Sequence, residues 1–494
     1  MIRSASPTKW RPVTLTTGVV MLVCFSLISQ LPRLRGPGII PFLIYFFISS
    51  TAYLIAVKRL EDDHIPIILI WIMGLCFRIP LLFTSPTLSD DVYRYIWDGH
   101  LITQGINPYA HAVNSSILDL YSTPFRELIN NNWMASPYLP VAQAYFMVTA
   151  WIAPFSIKIF QIMSMLLDLG TAYFIMAILN LLNLQSRRIL IFIWNPLIII
   201  SFAHSAHIDA LMVFLMSLSY WFIARATPNY SNKKWFKSFS TVSLAASTLT
   251  KALPILVAPI FFRRWGILRL GLFGFLIIAS SSLLAAGAGW GLTGPSDGTG
   301  LFGAIRIYAM YWNYNSGIYH WLEVLISGYQ TPGAVPIEIV GEAPIRIAKL
   351  IVIFLISLVT IATGIWAWYL DNPGLGSHRM RSLNLLRLAA IPIGAYLLLT
   401  TTVHPWYVTL ILPLIPFLLP AKNETSTLGR FIWPWLYFSC AVSISYLSYI
   451  DPNNYREFYF VRWVEYIPFY FLLIWAAWPY LRQVLLEREP SCTS

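Results

Sequence analysis

Long stretches without charge govern what this chain can become. Apolar runs fall near 13–31, 38–57, 65–83, 141–157, 159–182, 189–206, 208–226, 239–262, 267–290, 347–370, 388–403, 406–419, 431–450 and 466–482. Roughly 20 apolar residues make a helix that crosses the hydrocarbon core of a bilayer, and most runs approach that length. Backbone amides in lipid find no water to bond, so the runs are predicted to be helical. Only 11% of the 494 residues are charged and 57% are apolar, whereas a soluble domain carries about 25% charged residues. An ordinary soluble enzyme is excluded. The predicted class is an all-α polytopic membrane protein, one integral domain over residues 1–494, with about 12 to 14 transmembrane or re-entrant helices.

A net charge of +12 does not point to nucleic acid, because Lys and Arg cluster beside the apolar runs. Examples are Arg3, Lys9 and Arg11; Lys58 and Arg59; Arg187 and Arg188; Lys233, Lys234 and Lys237; Arg263 and Arg264; Arg379 and Arg381. That is the pattern of topology signals at membrane borders. No small-residue cleavage site follows the Val13–Leu31 stretch, which reads as a retained first helix. The positive-inside rule puts both termini in the cytoplasm and two long loops, 84–139 and 291–345, outside an inner membrane. Two conflicts with the rule carry information. Of the runs at 141–157 and 159–182, one must be short or re-entrant. The run at 239–262, basic at both flanks, is predicted to be a hairpin turning near Lys251–Pro254.

The external loop 84–139 holds the richest chemistry. Ser89-Asp90-Asp91 opens a stretch in which Val92, Ile96, Gly99 and Ile102 recur at helical spacing, so 90–103 is predicted as an amphipathic helix on the bilayer surface. Its first turn favours ionised carboxylates at Asp90 and Asp91, and either one is a candidate general base. Arg94 and Asp98, four apart, read as a surface salt bridge. His100 and His111 read as solvated loop residues. Four scattered cysteines, Cys24, Cys76, Cys440 and Cys492, show no metal spacing, nor is there an HExxH, a phosphate loop or a dinucleotide fingerprint. No cofactor and no metal is indicated.

Polar groups inside the apolar runs are functional candidates by default. Arg78 either snorkels to headgroups or binds an anion, and Asp168 reads as glue between helices. His207 and Asp209, with His204, break two crossings and either cap helices or line a site. Lys251 needs an anionic partner, for which a lipid phosphate is the obvious choice. His404, in His404-Pro405-Trp406-Tyr407, is a stronger site candidate than His100.

These residues together resemble a family. The acidic pair and Gly105-Ile106-Asn107-Pro108-Tyr109 come first, then Tyr138-Leu139-Pro140, Trp194-Asn195-Pro196 and His207-Ile208-Asp209. Thr250-Lys251 and His404-Pro405-Trp406-Tyr407 complete the order. The series is similar to the integral membrane glycosyltransferases of the GT-C superfamily, and within them to bacterial polyprenol-phosphate-mannose-dependent mannosyltransferases. The resemblance implies a GT-C-like bundle and an inverting transfer on the outer face from a polyprenyl-phosphate-linked sugar, mannose in the nearest relatives, to a lipid or glycan acceptor. Asp90 would be the base, Asp91 would assist in positioning, and Lys251 would meet the donor phosphate.

Charge chemistry agrees with that class. A departing phosphate needs cations, supplied by Lys251, Arg78 or Arg306, and the acceptor needs one carboxylate. Arg94, Tyr95, Asn107 and Tyr138 in the loop are candidates to bind substrate. So are His207, Asp209, His404 and Tyr407 at the later breaks. Two other classes compete. A glycan ligase or polymerase would call for more Arg and His in the first loop, and a transporter or flippase for lipid-linked sugars would favour internal repeats, which the sequence lacks.

Overall fold

The computed structural model describes residues 13–227, 232–293, 296–329, 341–421, 424–451 and 455–486. The basic cluster Arg3, Lys9 and Arg11, Lys422, Cys492 and part of the 291–345 loop lie outside them. Among the described residues there is no β-strand, and seven helices are long and apolar enough to cross a membrane. An eighth span forms if Ser186–Ile193 and Pro196–His204, bent by 58°, count as one. The protein is an all-α polytopic membrane protein. Some apolar runs contain short 3-10 pieces where prolines remove amide donors, as in Leu253–Phe261 and Pro405–Leu410.

Contacts sort the helix ends into two groups. At one end Asp63 accepts from the Thr14 amide at 2.9 Å, and Arg187 donates to the Asp63 carbonyl. Arg188 reaches the carbonyls of Leu419 and Pro420, Arg387 pairs with Glu424, and Arg264 pairs with Asp371. Arg59, Arg187, Arg188, Arg264, Arg381 and Arg387 all gather at this end. At the other end Arg35 meets Asp90, Lys158 meets the Thr84 carbonyl, and Asn107 reaches the Leu284 carbonyl. The two described chain ends both lie at the basic end, beside Asp63 and beside Ser426, which touches Tyr480.

The predicted conflicts resolve structurally. The helix Pro140–Ile152 has 13 residues, about 20 Å of rise against a hydrocarbon core of about 30 Å, so it falls short of a crossing. Ile157–Leu181, with 25 residues, is long enough. The helix Lys233–Thr250 ends at Lys251, whose backbone is extended (φ −154°, ψ 131°). The chain then returns, and Trp265 Nε1 donates to Ser240 Oγ at 3.2 Å. At Gly266 (φ 72°) it reverses again, which brings Phe273 within 5.7 Å of the Trp265 ring. Lys251 is therefore the apex of a hairpin whose two feet share the basic end.

Two expectations are corrected. The 90–103 helix is not a solvated surface element: Asp91–Thr103 buries both stripes, Arg94 and Asp98 included. These two residues form no surface salt bridge. Arg94 donates to the carbonyls of Met134 and Ala135, and Asp98 accepts from Ser136 and from Gln143 at 3.0 Å. Burial pushes the Asp98 carboxyl up. Gly99 lets this helix approach Pro140–Ile152, since a Cβ there would lie 2.4 Å from the Phe146 carbonyl oxygen.

Candidate active site

Asp91 is the first residue of its helix, where exposed N–H groups favour a carboxylate. Its Oδ2 lies 3.5 Å from His207 Nδ1, an ion-pair distance. His207 reaches that position through an irregular turn. Residues Ile200–His204 form a π-type turn, and Ala206 then takes the left-handed conformation (φ 54°), a strain of about 1–3 kcal/mol for a residue with a Cβ. Tyr95 supports the turn by accepting from the Ile208 amide at 3.4 Å.

Asp209 follows at the start of the Asp209–Arg225 helix and is buried. Lys251, at the hairpin apex, pairs with Asp209 Oδ1 at 2.9 Å, and its amine sits 4.0 Å above the Tyr407 ring. The anionic partner that the sequence demands for Lys251 is thus already supplied within the protein. The lysine side chain stays 24% exposed, so its remaining donors are reachable. The Tyr407 hydroxyl bonds that of Tyr308 at 2.7 Å, on the Gly303–Tyr311 helix that also carries Arg306.

A column of rings closes the site from behind. His207 stacks on Trp406 (3.9 Å, 18°), Trp406 on His404 (4.6 Å, 1°), and His404 on Tyr314 (4.6 Å, 27°). Burial pushes the His404 ring down to about 3, so it is neutral at working pH. For Asp91 burial acts upward, but His207, His404 and Lys251 together outweigh it and hold the carboxyl below its ordinary value. Asp91 is an anion in a pocket with one cation and two imidazoles.

The other candidates lie elsewhere. Asp90 is held by Arg35 at 2.6 Å, and the Arg35 guanidinium also stacks over Tyr449. Arg78, the expected headgroup or phosphate ligand, is fully buried: it pairs with Asp168 at 2.5 Å and donates to the carbonyls of Gly74 and Ile193. Arg94, Asn107 and Tyr138 frame the loop. Asn107 accepts from the Tyr109 amide, while the Tyr138 carbonyl accepts from the Tyr109 hydroxyl. Asp91, His207, Asp209, Lys251, His404 and Tyr407 do converge.

This arrangement sits within a recognisable sequence framework. Residues 17–265 match the family model MptA_B, described as alpha-(1->6)-mannopyranosyltransferase, N-terminal domain. The chain belongs to that family. Comparison with curated proteins and with solved structures gave no significant match. The protein is therefore an integral membrane glycosyltransferase that transfers mannose. The matched part of this mannosyltransferase contains Asp91, His207, Asp209 and Lys251; His404, Trp406 and Tyr407 lie beyond it.

Sequence reasoning missed Arg35, Tyr308 and Tyr314. A cation between the first two apolar runs is the signal that points to Arg35, because that turn faces the same end as the acidic pair. Tyr314 carries no such signal: its place depends on backbone pairing with Thr401 and Val403, nearly ninety residues on.

Proposed function

We propose that this mannosyltransferase carries mannose from a polyprenyl-phosphate donor to a hydroxyl of a lipid or glycan acceptor, with Asp91 as general base. The observation that carries the reading is the Asp91 carboxylate, facing His207 in the same pocket as Lys251. In the transfer, the acceptor O–H proton passes to Asp91. The acceptor oxygen bonds C1 of the mannose from the side opposite the phosphate. The bond from C1 to the phosphate oxygen breaks, and the lipid phosphate leaves with the electron pair beside Lys251. Asp209, buried and committed to Lys251, is not available as a covalent nucleophile, so a single displacement inverts the anomeric centre. With the α-linkage in the family's description, the donor would be β-linked.

Asp90 is the weaker candidate because Arg35 holds it, which reverses the roles that the resemblance alone implies. An apolar groove of about 590 Å³ lies along the returning limb of the hairpin, lined by Ile255, Pro259, Ile361, Gly364 and Trp368. Its position a few residues beyond Lys251 suits an isoprenoid chain below a phosphate. The arginine-rich end of the bundle favours a cytoplasmic location for that end, and so an extracytoplasmic site.

The test is turnover of radiolabelled polyprenyl-phosphate mannose with octyl α-mannoside as acceptor, using the full chain in lipid vesicles. Asp91→Asn is expected to lose about 10²- to 10⁴-fold in kcat with donor binding kept. Asp90→Asn is expected to stay within about tenfold of the native enzyme. The opposite ranking would return the base to Asp90, and full activity in both would remove a carboxylate base altogether.

A further inference from the structure

One buried acid has no part in the reading above. Glu465, on the Tyr459–Leu486 helix, is fully buried and has no cation at ion-pair distance among the described residues. Burying a carboxylate is costly unless its oxygens are bonded, and both are. The Asn315 side-chain amide donates to Oε2 at 2.6 Å, and the Ser445 amide donates to Oε1 at 2.8 Å.

Both donors lead to the same ring. Asn315 directly follows Tyr314 in the chain. The Ser445 carbonyl accepts from the Tyr314 hydroxyl at 3.0 Å, with Ser448 Oγ at 3.2 Å. Glu465 thereby holds Tyr314 at its backbone and at its hydroxyl. The segment that carries the ring is fixed on every side. Asn315 adopts a left-handed conformation (φ 47°), its amide donates to Glu457, and its carbonyl accepts from Tyr466 at 2.7 Å. Gly317 has no room for a Cβ, which would lie 2.6 Å from the Tyr466 ring. The Tyr314 amide donates to the Thr401 carbonyl, and the Val403 amide donates to the Tyr314 carbonyl, which locks this segment to the backbone just before His404. From Tyr314 the stacked rings run through His404 and Trp406 to His207, and His207 faces Asp91.

We propose that Glu465 is a positioning residue for mannosyl transfer, fixing Tyr314 at both ends through Asn315 and Ser445 and so setting His207 against Asp91. This rests on Asp91 being the base. Catalysis falls steeply with small misplacements of a reacting group, and a ring column transmits displacement because packed rings leave no slack.

Glu465→Gln separates positioning from mere filling of space. Glutamine keeps the size, but it offers one carbonyl oxygen to two N–H donors, so its own NH₂ faces one of them. A space-filling role predicts native turnover. Positioning predicts that E465Q folds, that kcat falls about tenfold to hundredfold, and that KM for polyprenyl-phosphate mannose stays within about twofold. In a His207→Ala background the same change is expected to cost less than about twofold more, because the link it disturbs is already gone. Native kcat in E465Q overturns the proposal, as does an equal loss in the His207→Ala background or a loss that appears only in KM.

Should E465Q fail to accumulate, Tyr314→Phe keeps the ring and drops only its hydroxyl bonds. It is expected to lower kcat about threefold to tenfold at unchanged KM, and native kcat there overturns the proposal too. The two readings fail separately. Full turnover in Asp91→Asn sinks the base assignment, whereas native turnover in E465Q beside an inactive Asp91→Asn sinks the positioning role alone.

Discussion

The imidazole of His207 lies flat on the indole of Trp406, 3.9 Å between ring centroids and 18° between planes. The indole fixes the plane of the imidazole, and only the edge that carries Nδ1 is left facing the Asp91 carboxylate. Stacking and the strained turn at Ala206 thus act on the same degree of freedom, the direction in which His207 points.

Removing that imidazole should change how turnover depends on pH. The proposed base works only when ionised, and Asp91 is held below the ordinary carboxylate value against the upward pull of its burial. Native activity is therefore retained as pH falls and is lost only when pH drops through this depressed value. His207→Ala takes away the leading opposing partner, so the acid limb of the kcat profile is expected to move to higher pH. At neutral pH a loss of about tenfold is expected as well. A pH–rate series on both proteins reads the direction, and a limb that stays in place would leave His207 without influence on the base.

Lys251 is expected to act on two observables at once. Lys251→Met leaves the Asp209 carboxylate buried and unpaired, costing up to about 3 kcal/mol of stability and raising the KM for the donor. Adding Asp209→Asn removes the stranded charge. The double variant is expected to regain its unfolding temperature and to keep its poor donor affinity. Recovery of both would mean that Lys251 only serves Asp209.

For Arg78 the expectation is the reverse. Its guanidinium is spent on Asp168 and two carbonyls out of reach of solvent. Arg78→Met alone should lower stability by about 3–5 kcal/mol. Arg78→Met with Asp168→Leu should recover most of it and transfer mannose at a rate near native. An inactive but well-folded double variant would restore Arg78 as a donor ligand.

Gly99 tests how the first loop is mounted. Alanine would drive a methyl group into the Phe146 backbone and separate the helix that carries Asp91 from its support. Gly99→Ala is expected to cost about 1–3 kcal/mol, read as a lower thermal midpoint with a matching loss of active protein. An unchanged midpoint would show that the two helices can part without cost.

The apolar spans and the hairpin were legible because each follows from local composition: apolar length, flanking basic residues and a polar apex. The same signals bring Asp91, His207, Asp209 and Lys251 forward as breaks or charges in apolar surroundings. What stayed hidden depends on partners far along the chain. Arg78 and Asp168 lie 90 positions apart, and nothing local says that one neutralises the other. Arg94 and Asp98 stand at salt-bridge spacing, yet burial gives Arg94 the carbonyls of Met134 and Ala135, and Asp98 the Ser136 hydroxyl and the Gln143 side-chain amide. Asp90 differs from Asp91 in its pairing with Arg35, which lies before the second span. Short 3-10 pieces such as Pro405–Leu410 stayed illegible because hydropathy does not separate a broken helix from a continuous one.

The hairpin gives the enzyme a ruler. Its rising limb runs 18 residues from Lys233 to Thr250, and the 11 from Ser240, where Trp265 meets it, to Thr250 rise about 16 Å. The height of the Lys251 amine above that contact is therefore set by a count of residues, not by neighbouring loops. Adding or removing one turn would move the amine by about 5 Å, roughly the size of a phosphate group. The depth of the Lys251 amine is thus written into the length of one limb.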